Sequence, residues 1–169
     1  MQASLVMTVI GKDRTGLVES VAKLVAKHDG NWLESRMCKL GGEFAGILRA
    51  HVPSERRAAL EKALSALPGL KVVVRPDKSG ASATKSRLAS VDVVGQDRPG
   101  IVREITHALT TQRVNVEELA TECVSAPMSG EQLFKARARL RLPANVTLTA
   151  LRESLEKAAS DLTVEIGIV

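Results

Sequence analysis

The chain has 169 residues, 44% of them hydrophobic and 25% charged, with a formal net charge of +5. That length suits one ordinary domain or two of roughly 80 residues each. The balance is that of a globular protein, and no apolar run nears the roughly 18 residues that a membrane span needs. Cys38 and Cys123 are too few and too far apart for a disulfide framework or a zinc site. Met1-Gln2-Ala3-Ser4 lacks the basic and apolar regions of a signal peptide. A cytoplasmic protein with reduced thiols is therefore expected. Its aromatic residues are Trp32, Phe44 and Phe134, so Val, Leu, Ile and Ala must build the core.

Leu5 to Ile10 reads as a strand and Gly11 to Thr15 as a turn. Leu17, Val18, Val21, Leu24 and Val25 then mark one helix face, which ends at Asp29-Gly30 with Gly30 expected as the C-terminal cap. Trp32 to Leu40 and Phe44 to Val52 read as strands joined by a Gly41-Gly42 hairpin turn. Pro53-Ser54 opens a helix with Ser54 as N-cap and Leu60, Leu64 and Leu67 as its apolar face. Leu70 to Val74 is a fourth strand. Residues 77–87 are small, polar and aperiodic, as in a linker.

The second half repeats this order. Leu88 to Val94 is a strand, and Ile101, Val102, Ile105 and Leu109 mark a helix. Val116 to Val124 and Phe134 to Leu142 are strands. Thr147 caps a helix with Leu148, Leu151 and Leu155 on its face, and Leu162 to Val169 closes the chain. The chain is thus read as α+β, with two ferredoxin-like βαββαβ domains over 1–76 and 88–169, each an antiparallel sheet with helices on one face.

The motif Gly11-Lys12-Asp13-Arg14-Thr15-Gly16 returns as Gly95-Gln96-Asp97-Arg98-Pro99-Gly100, and Asn31 returns as Asn115 at the same offset of 84 residues. A helix N-terminus favours a carboxylate or phosphate. Asp13 and Asp97 suit a cap, and Gly16 and Gly100 permit close approach. Asn31 and Asn115 are expected at the same end of the sheet as the turn. Together these groups could hold the carboxylate and amine of a free amino acid, although turn chemistry alone would also explain them.

The repeated Gly-x-Asp-Arg-[Thr/Pro]-Gly-[Leu/Ile]-Val turn, the later Asn and the doubled βαββαβ order resemble tandem ACT domains, regulatory modules that bind amino acids. The layout without a catalytic domain is similar to the glycine cleavage system transcriptional repressor family. The resemblance implies ligand contacts at Asp13, Arg14, Gly16 and Asn31, and at Asp97, Arg98, Gly100 and Asn115. It also implies a small amino acid ligand such as glycine or serine, a homo-oligomer, and a protein partner that regulates transcription. Thr15 departs from the Pro seen at Pro99, so the two copies need not be equivalent.

Two sheet faces differ. Lys135, Arg137, Arg139 and Arg141 alternate with apolar residues and form a basic ladder on one face. It would suit a phosphate backbone, or cross-strand pairing with Asp92, Glu118, Glu122 and Glu165. The matching positions in the first half are Ala45, Ile47, Arg49 and His51, with Val6 and Thr8 alongside, and that less polar face is expected to pack against the second domain or another subunit. His28, His51 and His107 lack metal-ligand spacing, and Cys38 and Cys123 are expected to pack within strands. No nucleotide-binding or hydrolase motif is present, and no helix-turn-helix. The reading is a non-enzymatic regulator without cofactor, metal, membrane or direct nucleic-acid contact; the alternative is a ligand-free dimerisation module.

Overall fold

The computed structural model describes residues 1–78, 86–126, 130–158 and 161–168. Parts of the expected linker (79–85) and of the second hairpin turn (127–129), and Val169 of the last strand, lie outside the described residues. The chain divides into two compact units, Met1–Ser82 and Ala83–Val169.

The first unit runs β1 (Gln2–Lys12), α1 (Leu17–Lys27), β2 (Asn31–Leu40), β3 (Glu43–Pro53), a 3-10 turn (Ser54–Arg56), α2 (Arg57–Ser65) and β4 (Leu70–Pro76). The second runs β5 (Arg87–Gln96), α3 (Ile101–Thr111), β6 (Asn115–Ser125), β7 (Gln132–Leu142), α4 (Leu148–Ala158) and β8 (Thr163–Ile168). The sheet orders are β2-β3-β1-β4 and β6-β7-β5-β8, and every pairing is antiparallel. This is the βαββαβ arrangement, twice.

Alternation along the inner strands places the core. Leu5, Met7 and Val9 of β1 and Leu48, Ala50 and Val52 of β3 are buried against Val21 and Val25 of α1 and Leu60 and Leu64 of α2. In the second unit Ala89, Val91 and Val93 join Phe134, Ala136, Ala138, Leu140 and Leu142 beneath Ile105, Leu109, Leu151 and Leu155.

Gly41 and Gly42 have φ of 59° and 83°, as a tight two-residue hairpin turn requires. Two turn details differ from the sequence reading. Asp29, not Gly30, takes the left-handed backbone at φ 57°. Gly30 is a glycine because a Cβ there would lie 2.8 Å from Val25 Cγ1. Ser54 does not cap its helix; its hydroxyl donates to Met1 O at 3.0 Å. Thr147 does cap, accepting from Ala150 N–H at 3.1 Å.

Elements also run past the expected limits. Arg87, read as linker, opens β5. Asp77, also read as linker, is tied to the first unit: its carboxylate accepts from Ser4 Oγ at 3.1 Å and from Arg49 Nε at 2.9 Å. Both outer strands β2 and β6 carry a bulge at the same place, between Trp32 and Glu34 and between Val116 and Glu118. No helix among the described residues is long and apolar enough to cross a membrane.

Leu60→Ala removes a side chain with no exposed surface and leaves a cavity, so it is expected to cost about 2–5 kcal/mol and lower the urea midpoint of the first unit. Leu40→Ala, at a residue 82% exposed, should stay within about 0.5 kcal/mol of the parent in the same denaturation.

Candidate functional site

In both units the repeated motif is held at each end by a glycine, for different reasons. A Cβ on Gly11 would overlap the carbonyl of Gly69, and one on Gly95 would lie 2.5 Å from Leu162 Cδ2. The opening glycine is therefore set by the close approach of the chain entering the last strand. The closing glycine is set by its own backbone. Gly16 has φ 86° and Gly100 φ 90°, and each immediately precedes a helix. Around Gly100 a Cβ would meet nothing within 4 Å, so the space in front of that helix is open.

Neither helix start is closed by a side-chain hydrogen bond, which corrects the expectation that Asp13 and Asp97 act as caps. Asp13 is turned to the hairpin, where Lys39 Nζ binds its carboxylate, and its N–H donates to Gly42 O at 3.0 Å. Asp97 N–H donates to Gln132 O at 2.9 Å, while its carboxylate accepts from the Cys123 thiol. Lys39 and Cys123 are equivalent positions, opposite Phe44 and Phe134 respectively. Desolvation, and then the Asp97 charge, push the Cys123 thiol above its ordinary range.

The arginines differ as much. Arg14 Nη2 donates to Pro68 O at 3.0 Å, a neutral partner. Arg98 grips Glu104 with two bonds of 2.9 and 2.6 Å and has Asp161 at 3.7 Å. These contacts hold the Arg98 guanidinium proton more tightly and draw the Glu104 carboxyl below its usual range. Over Asp13, Lys39 and Arg14 the first turn carries a net +1; over Asp97, Arg98, Arg103, Glu104 and Asp161 the second carries −1. Glu19, near Gly16, is matched by Lys23 at 2.7 Å.

The asparagines lie elsewhere. Asn31 pairs with His51, whereas Gly11 pairs with Phe44, seven positions away along β3. Asn115 pairs with Arg141, and Gly95 with Phe134. At about 3.3 Å per residue that is roughly 23 Å. The expectation of one shared sheet end is therefore wrong: β1 and β2 run parallel on either side of β3, and α1 returns the chain to the far end before β2 begins. Asn31 is exposed there. Asn115 Nδ2 donates to Glu117 Oε1 at 3.0 Å.

The ACT domain model matches residues 3–71. A UPF0237 protein of Methanopyrus kandleri is 34% identical over 79 residues, covering 46% of this chain and 81% of that protein. The chain belongs to the ACT-domain family. The glycine cleavage system transcriptional repressor of Escherichia coli is 24% identical over 98% of this chain and 87% of its own. A crystal structure of an unknown protein from Galdieria sulphuraria superposes with a TM-score of 0.84 at 29% identity, covering 100% of this chain and 99% of that one. The second unit repeats the ACT strand order, the left-handed glycine and the bulge, so the fold is a tandem ACT pair.

On the open face of the second ACT unit the basic ladder is mostly neutralised across strands. Arg137 binds Asp92 at 2.8 Å, Arg139 binds Glu118 at 3.1 Å, and Arg141 binds Glu117 at 2.8 Å. Glu117 was missed by strict alternation because it is the bulged residue. On the first ACT unit's open face Ile10, Ile47 and Val73 are 45%, 52% and 40% exposed, as its less polar sequence implied. Cys38 and Cys123 are both free and exposed, contrary to the expected packing within strands. Among the described residues no group of three or more His, Cys, Asp or Glu could hold a metal ion.

The Asp97–Cys123 contact has a measurable consequence. Because the Asp97 charge adds to desolvation in raising the Cys123 pKa, Asp97→Asn should move the pH midpoint of Cys123 alkylation down and speed the reaction at pH 8. Peptide mapping after iodoacetamide treatment reads both thiols, and an unchanged Cys123 rate would refute the contact.

Proposed function

We propose that the protein is an amino-acid-sensing regulator that works in the cytoplasm through protein–protein contact. A small amino acid such as glycine or serine binds at the repeated turn, and the liganded form engages or releases a partner that controls transcription. The similarity of nearly the whole chain to a glycine cleavage system transcriptional repressor supports this reading. So does the ACT fold, whose members are regulatory and bind amino acids. No catalytic role is assigned.

One observation carries it. The first turn presents a helix start with no side-chain cap, a left-handed glycine, and an arginine whose partner is a neutral carbonyl. Asp13, which would repel a carboxylate, is already matched by Lys39. The second turn lacks that balance, because Glu104 and Asp161 surround Arg98. The first copy is thus the better holder of an amino acid's carboxylate, and the second is less suited to it. Asn31 lies at the far end of its own sheet, so it contacts the same ligand only when a second copy of the chain supplies it, which favours a homo-oligomer. Ligand control then requires different affinities in the two states.

The exposed Ile10, Ile47 and Val73 favour the alternative, a ligand-free dimerisation module that covers this face. Calorimetric titration with glycine, serine and the other amino acids separates the two. The sensor reading expects heat of binding, and Arg14→Ala should weaken it about tenfold or more, roughly 1.4 kcal/mol. Arg98→Ala should cost less. Absence of binding by every amino acid at millimolar concentration would sink the sensor, and a larger loss from Arg98→Ala would reverse the assignment of the two copies.

A further inference from the structure

The open face of the second sheet contains a hollow of about 390 Å³ that the turn reading does not use. Its floor is Ala120. The strand register places Ala120 opposite Arg137 and, one row along the same face, Glu122 opposite Lys135. Arg137 leans away from the alanine, its Nε donating to Asp92 on the other side at 2.8 Å. This leaves a depression with a carboxylate on the edge strand β6 and an ammonium and a guanidinium on the inner strand β7.

Two further facts mark the hollow. Glu122 and Lys135 are direct cross-strand neighbours of opposite charge, yet neither makes a hydrogen bond or close ion pair with another described residue, Glu122 acting on Arg137 through its charge alone. The other arginines of this face, Arg139 and Arg141, pair with Glu118 and Glu117, although Arg139 Nε keeps no hydrogen-bond partner. The first unit also lacks this arrangement. Its equivalent rows set Arg36 opposite Ile47 and Cys38 opposite Ala45, with a long side chain at the floor position and no pair of opposite charges.

We infer that this hollow binds a small dipolar molecule bearing one carboxylate and one amine, the carboxylate toward Lys135 and Arg137 and the amine toward Glu122. A molecule with both ends gains an attractive contact at each. One with a single charged end gains one contact and faces a like charge at the other. The volume suits a small ligand rather than a peptide segment. The walls are solvated, so binding is weak and falls with added salt. The site shares no residue with either turn.

The test is amide-resolved NMR titration of the full chain with glycine, β-alanine and γ-aminobutyrate, which separate the two charges by increasing lengths. Acetate and methylammonium serve as one-ended controls. Saturable shifts at Ala120, Thr121 and Ala136 with at least one dipolar probe, and not with the controls, are expected. Lys135→Ala and Glu122→Ala should each weaken that response about tenfold or more. Both side chains are exposed, so folding should survive, and the exchanged pair Lys135→Glu with Glu122→Lys should regain part of the response. Shifts confined to Gly16 and Leu17 would overturn this proposal while leaving the turn reading intact. Equal shifts with acetate alone would make the hollow a simple anion patch and overturn it, as would shifts that follow protein dilution rather than added probe.

Discussion

The inner strands of each sheet, β1 with β3 and β5 with β7, bury alternate side chains against two helices. That alternation governs what the rest of each unit can do. The buried row must be apolar because nothing polar could be satisfied beneath the helices. The opposite row is then free to vary, and the two units use that freedom differently. The first places Ile47, Thr8 and Val73 in one row across three strands. The second places Arg137, Asp92 and Glu165 in the same row. One backbone thus carries an apolar face in one unit and an ionic face in the other.

The turns show the same division between fixed geometry and variable chemistry. Gly11 and Gly95 are held by the approach of a neighbouring strand, Gly16 and Gly100 by a left-handed backbone. Those demands are identical in both copies. Between them, Lys39 in one unit becomes Cys123 in the other, and the neutral carbonyl partner of Arg14 becomes the carboxylate partners of Arg98. A shared motif therefore records a shared fold, while the charges around it decide which copy can receive an anion.

Most of the fold was legible because it depends on period. Strands and helices follow the spacing of Val, Leu and Ile, and the two copies check each other. Thr147 was legible as a cap for the same local reason. What escaped depends on partners distant in the chain. Asn31 and Asn115 were placed at the wrong sheet end although the strand–helix–strand crossover already makes β2 run parallel to β1, so that both strands begin at the end away from the turn. Asp13 looked like a cap until Lys39, 26 positions on, claimed it. Glu117 was hidden by a bulge that shifts alternation by one residue, and Glu104 and Asp161 belong to no motif. The offset of 84 that links Lys39 to Cys123 was present in the sequence and would have flagged the changed turn chemistry.

The paired bulges have a consequence for the behaviour of the protein in concentrated solution. β2 and β6 are sheet edges, with backbone donors and acceptors available to any strand that arrives from another molecule. The two-against-one step near Leu33 and Glu117 breaks that row early and twists it out of line. At the opposite edges, β4 and β8 extend over only 7 and 6 residues. A would-be fifth strand therefore meets an edge interrupted near its start on one side and a short edge on the other, so each unit's own backbone limits edge-to-edge pairing.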